Sequence, residues 1–88
     1  MRRELANDCH TLALKVLAET LTDERRAQRF LGLTGLSPDG IRMALEDGAL
    51  LAACIGFLEA HEPDLISVAG ALDLDPAAIV ALRPELEN

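Results

Sequence analysis

The chain has 88 residues, half of them apolar, and a formal net charge of −7 at neutral pH. That apolar content excludes a disordered chain, and the length suits one domain with its own core. Phe30 and Phe57 are the only aromatic residues and β-branched residues are sparse, which argues against a sheet. The longest uncharged run, residues 48 to 58, has eleven residues, about half the ~20 that a membrane-spanning helix needs.

Charge is distributed unevenly along the chain. Residues 1 to 44 hold seven basic and six acidic groups, net +1, whereas residues 45 to 88 hold one basic and nine acidic groups, net −8. Such an acidic half repels phosphate backbones and anionic membranes and attracts basic protein surfaces over long distances. Because Glu4, Asn7 and Asp8 interrupt any apolar signal-peptide region, we expect a cytoplasmic protein with two reduced cysteines.

Helical spacing of apolar residues predicts a first helix from about Arg3 to Leu21. Its predicted inner face contains Leu5, Cys9, Leu12, Val16 and Leu17. A second helix follows, with Thr22 as the predicted N-cap and acidic residues in the first turn, where they complement the helix dipole. The predicted inner face of this second helix contains Ala27, Phe30, Leu31 and Thr34.

A stop-and-restart pattern occurs twice in the sequence. The two copies are Leu36-Ser37-Pro38 followed by Ile41, and Leu74-Asp75-Pro76 followed by Ile79. The serine and the aspartate are good N-cap acceptors, and proline suits the first helical position. Gly35 can adopt the left-handed conformation that ends the preceding helix. An offset of 38 residues gives four identities between the copies, which favours a recurrent helix-cap solution over a duplication.

The middle of the chain is predicted to contain two helices. The third helix runs from Ser37 to about Glu46, and the fourth runs from about Gly48 to Ala60. The fourth is apolar almost all round, and a helix of that kind is buried on every side. We therefore expect the fourth helix to be the centre of the bundle.

The C-terminal part is predicted to contain two further helices. Pro63 opens a fifth helix, and Asp75 with Pro76 opens a brief sixth. The residues predicted to face inward from the fifth helix are Leu65, Ile66, Val68, Ala69 and Leu72.

Pro84 prevents much further helix, so we expect an ordered core over about residues 4 to 83 and a tail over residues 84 to 88. Residues 1 to 88 are thus predicted to form a single all-α domain. The expected architecture is a compact bundle of five or six short helices with helix-turn-helix-like corners.

The segment from Phe30 to Pro38, together with Leu74-Asp75-Pro76, resembles a family of small, all-helical bacterial proteins of unknown function, about ninety residues long. The distinctive part is the motif Leu-Thr-Gly-Leu-x-Pro, and the resemblance covers most of residues 5 to 82. The resemblance implies a helical fold and a bacterial cytoplasm, and it transfers no active site. Gly40 and Gly48 depart from the helix formers expected at those positions.

Arg25, Arg26 and Arg29 form a basic cluster on the second helix. We expect apolar surface rimmed by these arginines to dock a protein partner or a second copy of the chain, because so small a domain leaves part of its apolar surface uncovered. Alternatively, these side chains neutralise the acidic half of the protein itself or stay solvated.

Thiols and imidazoles are few, so any metal site or thiol nucleophile would have to use them. They are Cys9, His10, Cys54 and His61. The last two are seven residues apart, about 10 Å along a helix, which is too far to share an ion. We therefore predict core thiols and surface imidazoles, with no metal and no cofactor.

Acidic side chains near the predicted start of the fifth helix are the other candidate catalytic groups. Glu59, Glu62 and Asp64 could do acid–base work only in a pocket that separates their pKa values, and helix-end capping explains them without one. We predict a non-enzymatic interaction or regulatory module, with a small Cys/His or carboxylate enzyme as an open alternative.

DNA binding is the second alternative, because residues 23 to 46 have the pattern of a helix-turn-helix. A helix that reads bases needs Arg, Lys, Asn or Gln near its N-terminal end. The third predicted helix offers only Arg42, next to Asp39, and the net charge opposes nucleic acid. The sequence therefore favours a protein partner over nucleic acid or membrane.

Overall fold

The computed structural model describes the backbone of residues 2 to 87 and the side chains of residues 8 to 87. Within these residues there is no strand, which confirms the predicted all-α fold. The helices are α1 (Arg2–Thr20), α2 (Glu24–Thr34), α3 (Pro38–Met43), α4 (Gly48–Glu59), α5 (Glu62–Ala71), α6 (Pro76–Val80) and α7 (Leu82–Glu87). Only Ala81 separates the last two. Leu5, predicted on the inner face of the first helix, lies outside the described side chains.

Carboxylate and hydroxyl side chains start four of the helices by accepting a backbone N–H of the first turn. They are Asp23 for α2, Ser37 for α3, Asp47 for α4 and Asp75 for α6. The prediction of Thr22 as the cap of α2 is wrong by one residue. The Thr22 hydroxyl instead donates a hydrogen bond to the carbonyl oxygen of Glu19 at 2.7 Å. Thr22 therefore contributes to the end of α1 and not to the start of α2.

The two stop-and-restart corners have the same backbone design. Gly35 ends α2 with a φ of 73°, and Asp73, 38 residues later, follows α5 with a φ of 57°. Both residues are thus in the left-handed region that ends helices. Ile41 and Ile79, at matching positions in the helices that follow, are both buried. The predicted corners are confirmed.

Helix α4 is the centre of the described bundle, as predicted. Seven of its twelve residues are buried: Leu50, Leu51, Ala52, Cys54, Ile55, Phe57 and Leu58. Helices α1, α5, α6 and α7 pack around it. Phe57 meets Phe30 of α2 edge to face, with ring centroids 5.3 Å apart, so the two aromatic side chains of the chain lie in one cluster.

Residues 84 to 87, predicted as a tail, are helical, and α7 packs closely on α4. Pro84 is the third residue of α7, where a missing N–H costs no helical hydrogen bond. The close approach also explains Gly48: a Cβ there would lie 2.7 Å from the carbonyl oxygen of Leu86. A glycine at the start of α4 is therefore what allows α7 to pack on it.

Helices α2 and α3 are attached to the rest mainly by side chains. Phe30 and Ile41 join the core cluster, while the closely packed helix pairs of the described chain involve α1 and α4 to α7.

The predicted inner face of α5 is mostly confirmed. Leu65, Val68 and Ala69 are buried as predicted, and Leu72 is partly buried against the core. The prediction for Ile66 is wrong, since it is 53% exposed on the outer face of α5.

Candidate functional site

An apolar groove of about 590 Å³ lies between α1, α2 and α3 and is open to solvent on one side. We call it the docking groove. It is lined by Leu14, Leu17, Ala18, Leu21, Ala27, Leu31, Pro38, Ile41, Arg42 and Leu45. Leu17 and Ile41 form a buried floor that belongs to the core, and the other apolar residues form walls that are half-buried or exposed.

The groove exists because α1 has more apolar surface than the core covers. At about 100° per residue, the apolar side chains of α1 cover an arc of about 240°, whereas packing against one core needs little more than 100°. The buried part of this arc includes Ala13, Val16 and Leu17, and the part beyond it includes Leu14, Ala18 and Leu21, the last of which directly follows α1. This second stripe forms one wall of the docking groove.

Arg26 is part of the fold. Its side chain is buried, with the residue only 6% exposed. Its Nε–H donates to the carbonyl oxygen of Thr20 at 2.9 Å, and Nη2 donates to that of Glu19 at 2.7 Å. These carbonyls end α1 and have no partner within that helix, so the guanidinium caps the C-terminus of α1 and complements its dipole.

Arg29 ties α2 to α5. Its Nη2 donates to Oδ2 of Asp64 at 2.6 Å, and its guanidinium lies over the ring of Phe57, 5.6 Å from the centroid. The same carboxylate oxygen lies 2.8 Å from Nδ1 of His61, the N-cap residue of α5. Arg25 is exposed. None of the three predicted arginines lines the docking groove, and Arg42 is the one charged residue in the described part of its lining.

Cys54 is a core thiol, as predicted. It is buried in α4, and its Sγ–H donates to the hydroxyl of Thr20 across the interface with α1 at 3.5 Å. Burial raises the pKa of the Cys54 thiol to about 11, so it stays protonated near neutral pH. Cys9 is half-buried, and its pKa is raised by burial and by the nearby carboxylate of Glu85. Neither thiol has the low pKa that makes a cysteine nucleophilic.

The carboxylates near the start of α5 are held in separate contacts. Asp64 binds Arg29 and His61, while Oε1 of Glu59 lies 3.3 Å from Nε of Arg83 on α7, without the alignment of a hydrogen bond. Glu62 is exposed in the first turn of α5. Among residues 8 to 87, no group of three or more His, Cys, Asp or Glu side chains is placed to hold a metal ion.

A second and more open concavity of about 710 Å³ lies between α4 and α7. It is lined by Asp47, Gly48, Ala49, Ala52, Ala53, Gly56, Arg83, Leu86 and Glu87. Its wall on α4 is made mainly of small residues that let α7 approach, so this concavity follows from helix packing. Neither it nor the docking groove is lined by a cysteine or histidine.

Fold and groove together define a small all-helical protein with a strongly apolar open groove in the part of the chain that the structure describes. A family described as "Protein of unknown function (DUF3572)" matches residues 6 to 88, so the chain belongs to this family. Comparisons with curated proteins and with solved structures found no match.

Within the described residues no single helix is long and apolar enough to cross a membrane. The helical segments Glu62–Ala71 and Pro76–Glu87 reach the required length and hydropathy only when they are taken together. The chain bends by 102° between them.

The docking groove was missed as a site, although one signal for it is present in the sequence. The spacing of Leu14, Leu17, Ala18 and Leu21 continues the apolar face of α1 beyond the residues that the core uses. What the sequence does not show is that α2 turns back beside this stripe without covering it.

Proposed function

We propose that this protein is a non-enzymatic interaction module that binds a helical segment of a partner protein in the docking groove. The carrying observation is the groove itself: six leucine and isoleucine side chains line a concave surface that is open to solvent. A contiguous apolar surface on a small protein is typical of a site of protein association. Amphipathic helices commonly bind in grooves of this kind through anchors spaced one turn apart.

The shape of the groove favours a helix over a small molecule. Its wall on α1 runs from Leu14 to Leu21, seven residues or about 10 Å, which matches two turns of a bound helix. Small-molecule pockets enclose most of the ligand surface, whereas this groove is open along one side. A partner helix would complete the layer that α1 and α2 begin.

The alternatives receive less support from the described geometry. Helix α3, the reading helix of the DNA-binding alternative, has six residues, and its one arginine, Arg42, lies 3.6 Å from Asp39. The enzyme alternative needs a concavity that holds Cys9, His10 or the carboxylates between Glu59 and Asp64. Neither concavity described above holds any of these residues.

The setting we propose is the bacterial cytoplasm. Support comes from the Leu-Thr-Gly-Leu-x-Pro motif and its resemblance to bacterial proteins, and from the half-buried and buried free thiols Cys9 and Cys54, which suit a reducing compartment. Fractionation of cells of the source organism, followed by immunodetection, tests this part; recovery from a membrane or secreted fraction would contradict it.

Photo-crosslinking tests the groove as the docking site. A photoreactive p-benzoylphenylalanine replaces the exposed groove residue Ala18, and a matched variant carries it at Ser67, which is exposed on α5 and does not line the groove. We expect position 18, and not position 67, to give an adduct that maps to one helical segment of one protein.

Binding of that segment is then measured by calorimetry. It should weaken at least fivefold for Ala18→Gln, which puts a polar amide into the groove, and stay unchanged for Ser67→Gln. Equal adducts at both positions, or binding that Ala18→Gln leaves intact, would refute the proposal. An adduct of twice the chain mass would instead identify a second copy as the occupant.

A further inference from the structure

We infer, building on the proposed function, that the helix bound in the docking groove is a basic amphipathic helix, with lysine or arginine on the faces that surround its apolar stripe. The groove would bind the apolar stripe of the partner helix, and the negative charge of this chain would attract its basic faces. Peptides that differ only in charge or only in apolar pattern separate these two contributions to binding.

The net charge of the whole chain is the first argument. It is −7, and the described molecule measures 38 × 27 × 18 Å. At ~0.01 M salt the screening length is about 30 Å, so most of this charge acts on a partner that approaches the groove. A field of this kind raises the association rate of an oppositely charged partner by ~10-fold or more.

The rim of the groove is the second argument, because the charged residue in the described part of its lining, Arg42, is already paired with a carboxylate. Arg42 lies 3.6 Å from Asp39, and both side chains are largely exposed, so this pair offers little net charge to a ligand. Glu24 lies on the groove side of α2, one turn before Ala27, and Glu46 directly follows the lining residue Leu45. Both glutamates are exposed.

Two basic groups of the N-terminal half are engaged within the fold. Arg26 is bound to the carbonyls that end α1, and Arg29 is bound to Asp64. Arg25 is exposed, but it lies about 160° from Ala27 around α2 and so on the side away from the groove, whereas Lys15 lies beside Ala18 on α1 by helical position. A helix with lysine or arginine around its apolar stripe therefore complements both the rim and the whole chain.

Three synthetic 15-residue peptides with blocked ends test the inference. The first has leucines and one tryptophan on a single helical face and lysine elsewhere, and the second has the same apolar face with glutamate elsewhere. The third has the composition of the first, but its apolar residues are scattered around the helix. This chain contains no Trp or Tyr, so the peptide tryptophan reports binding without background.

We expect the lysine peptide to bind at least tenfold more tightly than the glutamate peptide in 10 mM salt, with the difference shrinking at least threefold in 0.5 M salt. The scrambled peptide should bind at least tenfold more weakly than the lysine peptide. Ala18→Gln should weaken binding of the lysine peptide at least fivefold, and Ser67→Gln, on the exposed face of α5, should not change it.

Each opposite result has a distinct meaning. Equal or tighter binding of the glutamate peptide, still weakened by Ala18→Gln, overturns the basic partner and leaves the groove as the docking site. Equal binding of the scrambled peptide shows charge attraction alone and overturns the inference. Binding that Ala18→Gln does not affect, or no binding of any peptide up to 1 mM, overturns both the inference and the proposed function.

Discussion

Replacing Arg26 by alanine tests whether this arginine is a part of the fold rather than a binding residue. In the native structure the guanidinium donates to the carbonyl oxygens of Thr20 and Glu19. The Glu19 oxygen also accepts from the backbone N–H and the hydroxyl of Thr22, so it keeps a donor in the variant. The Thr20 oxygen loses the donor that Arg26 supplies.

A hydrogen bond to a charged group contributes about 1.5–3 kcal/mol, and the variant loses one such bond fully and a second in part. Removing the arginine also removes the cost of burying its charge, so we expect a net loss of about 2–3 kcal/mol in the free energy of unfolding. For a domain of this size, that loss lowers the thermal midpoint by about 10 °C or more.

The assay is thermal unfolding followed by circular dichroism at 222 nm. Arg25→Ala is the matched control, because Arg25 is the exposed neighbour on the same helix and its loss should cost no more than about 0.5 kcal/mol. Arg26→Lys keeps the positive charge but loses the planar guanidinium with its two donors, so its thermal midpoint should lie between those of Arg26→Ala and Arg25→Ala. If Arg26→Ala melts within about 2 °C of Arg25→Ala, the capping role assigned to Arg26 is refuted.

Four further predictions concern the core and its edges. Phe57→Ala should cost about 3–5 kcal/mol by thermal melting, since it empties a buried site against Phe30, and an unchanged midpoint would show that α4 is not central. In urea unfolding, Gly48→Ala should destabilise by more than about 1 kcal/mol, because its Cβ would lie 2.7 Å from a backbone oxygen of α7. Gly70→Ala, whose Cβ meets nothing within 4 Å, should stabilise by about 0.5–1 kcal/mol; equal effects of the two would contradict the packing described. The raised pKa of Cys54 means that the unfolded thiol ionises first, so stability should fall as pH rises from about 9 to about 11, by at most about 2–3 kcal/mol. Urea titrations across this range should show a smaller fall for Cys54→Ala, and an identical fall would exclude the thiol as the cause.

The corners and the central helix could be predicted because their causes are local. Ser37 and Asp75 accept from backbone N–H groups three and two residues further along the chain, and each is followed by a proline already suited to the first turn. Helix α4 is apolar all round within twelve consecutive residues, so its central place needs no knowledge of its neighbours. The caps and the periodicity of apolar residues therefore determined the all-α class, the corners and the central helix from sequence alone, whereas the helical residues 84 to 87 were predicted as a tail.

The tertiary structure decided which surfaces were left over and what the charged residues bind. Arg29 pairs with Asp64, which is 35 residues away, and Gly48 is needed because α7 lies on it. The docking groove depends in the same way on α2 and α3 standing beside the extra apolar stripe of α1 without covering it. Such features follow from which helix faces meet, and that choice is made by the summed packing of the whole chain rather than by any short segment.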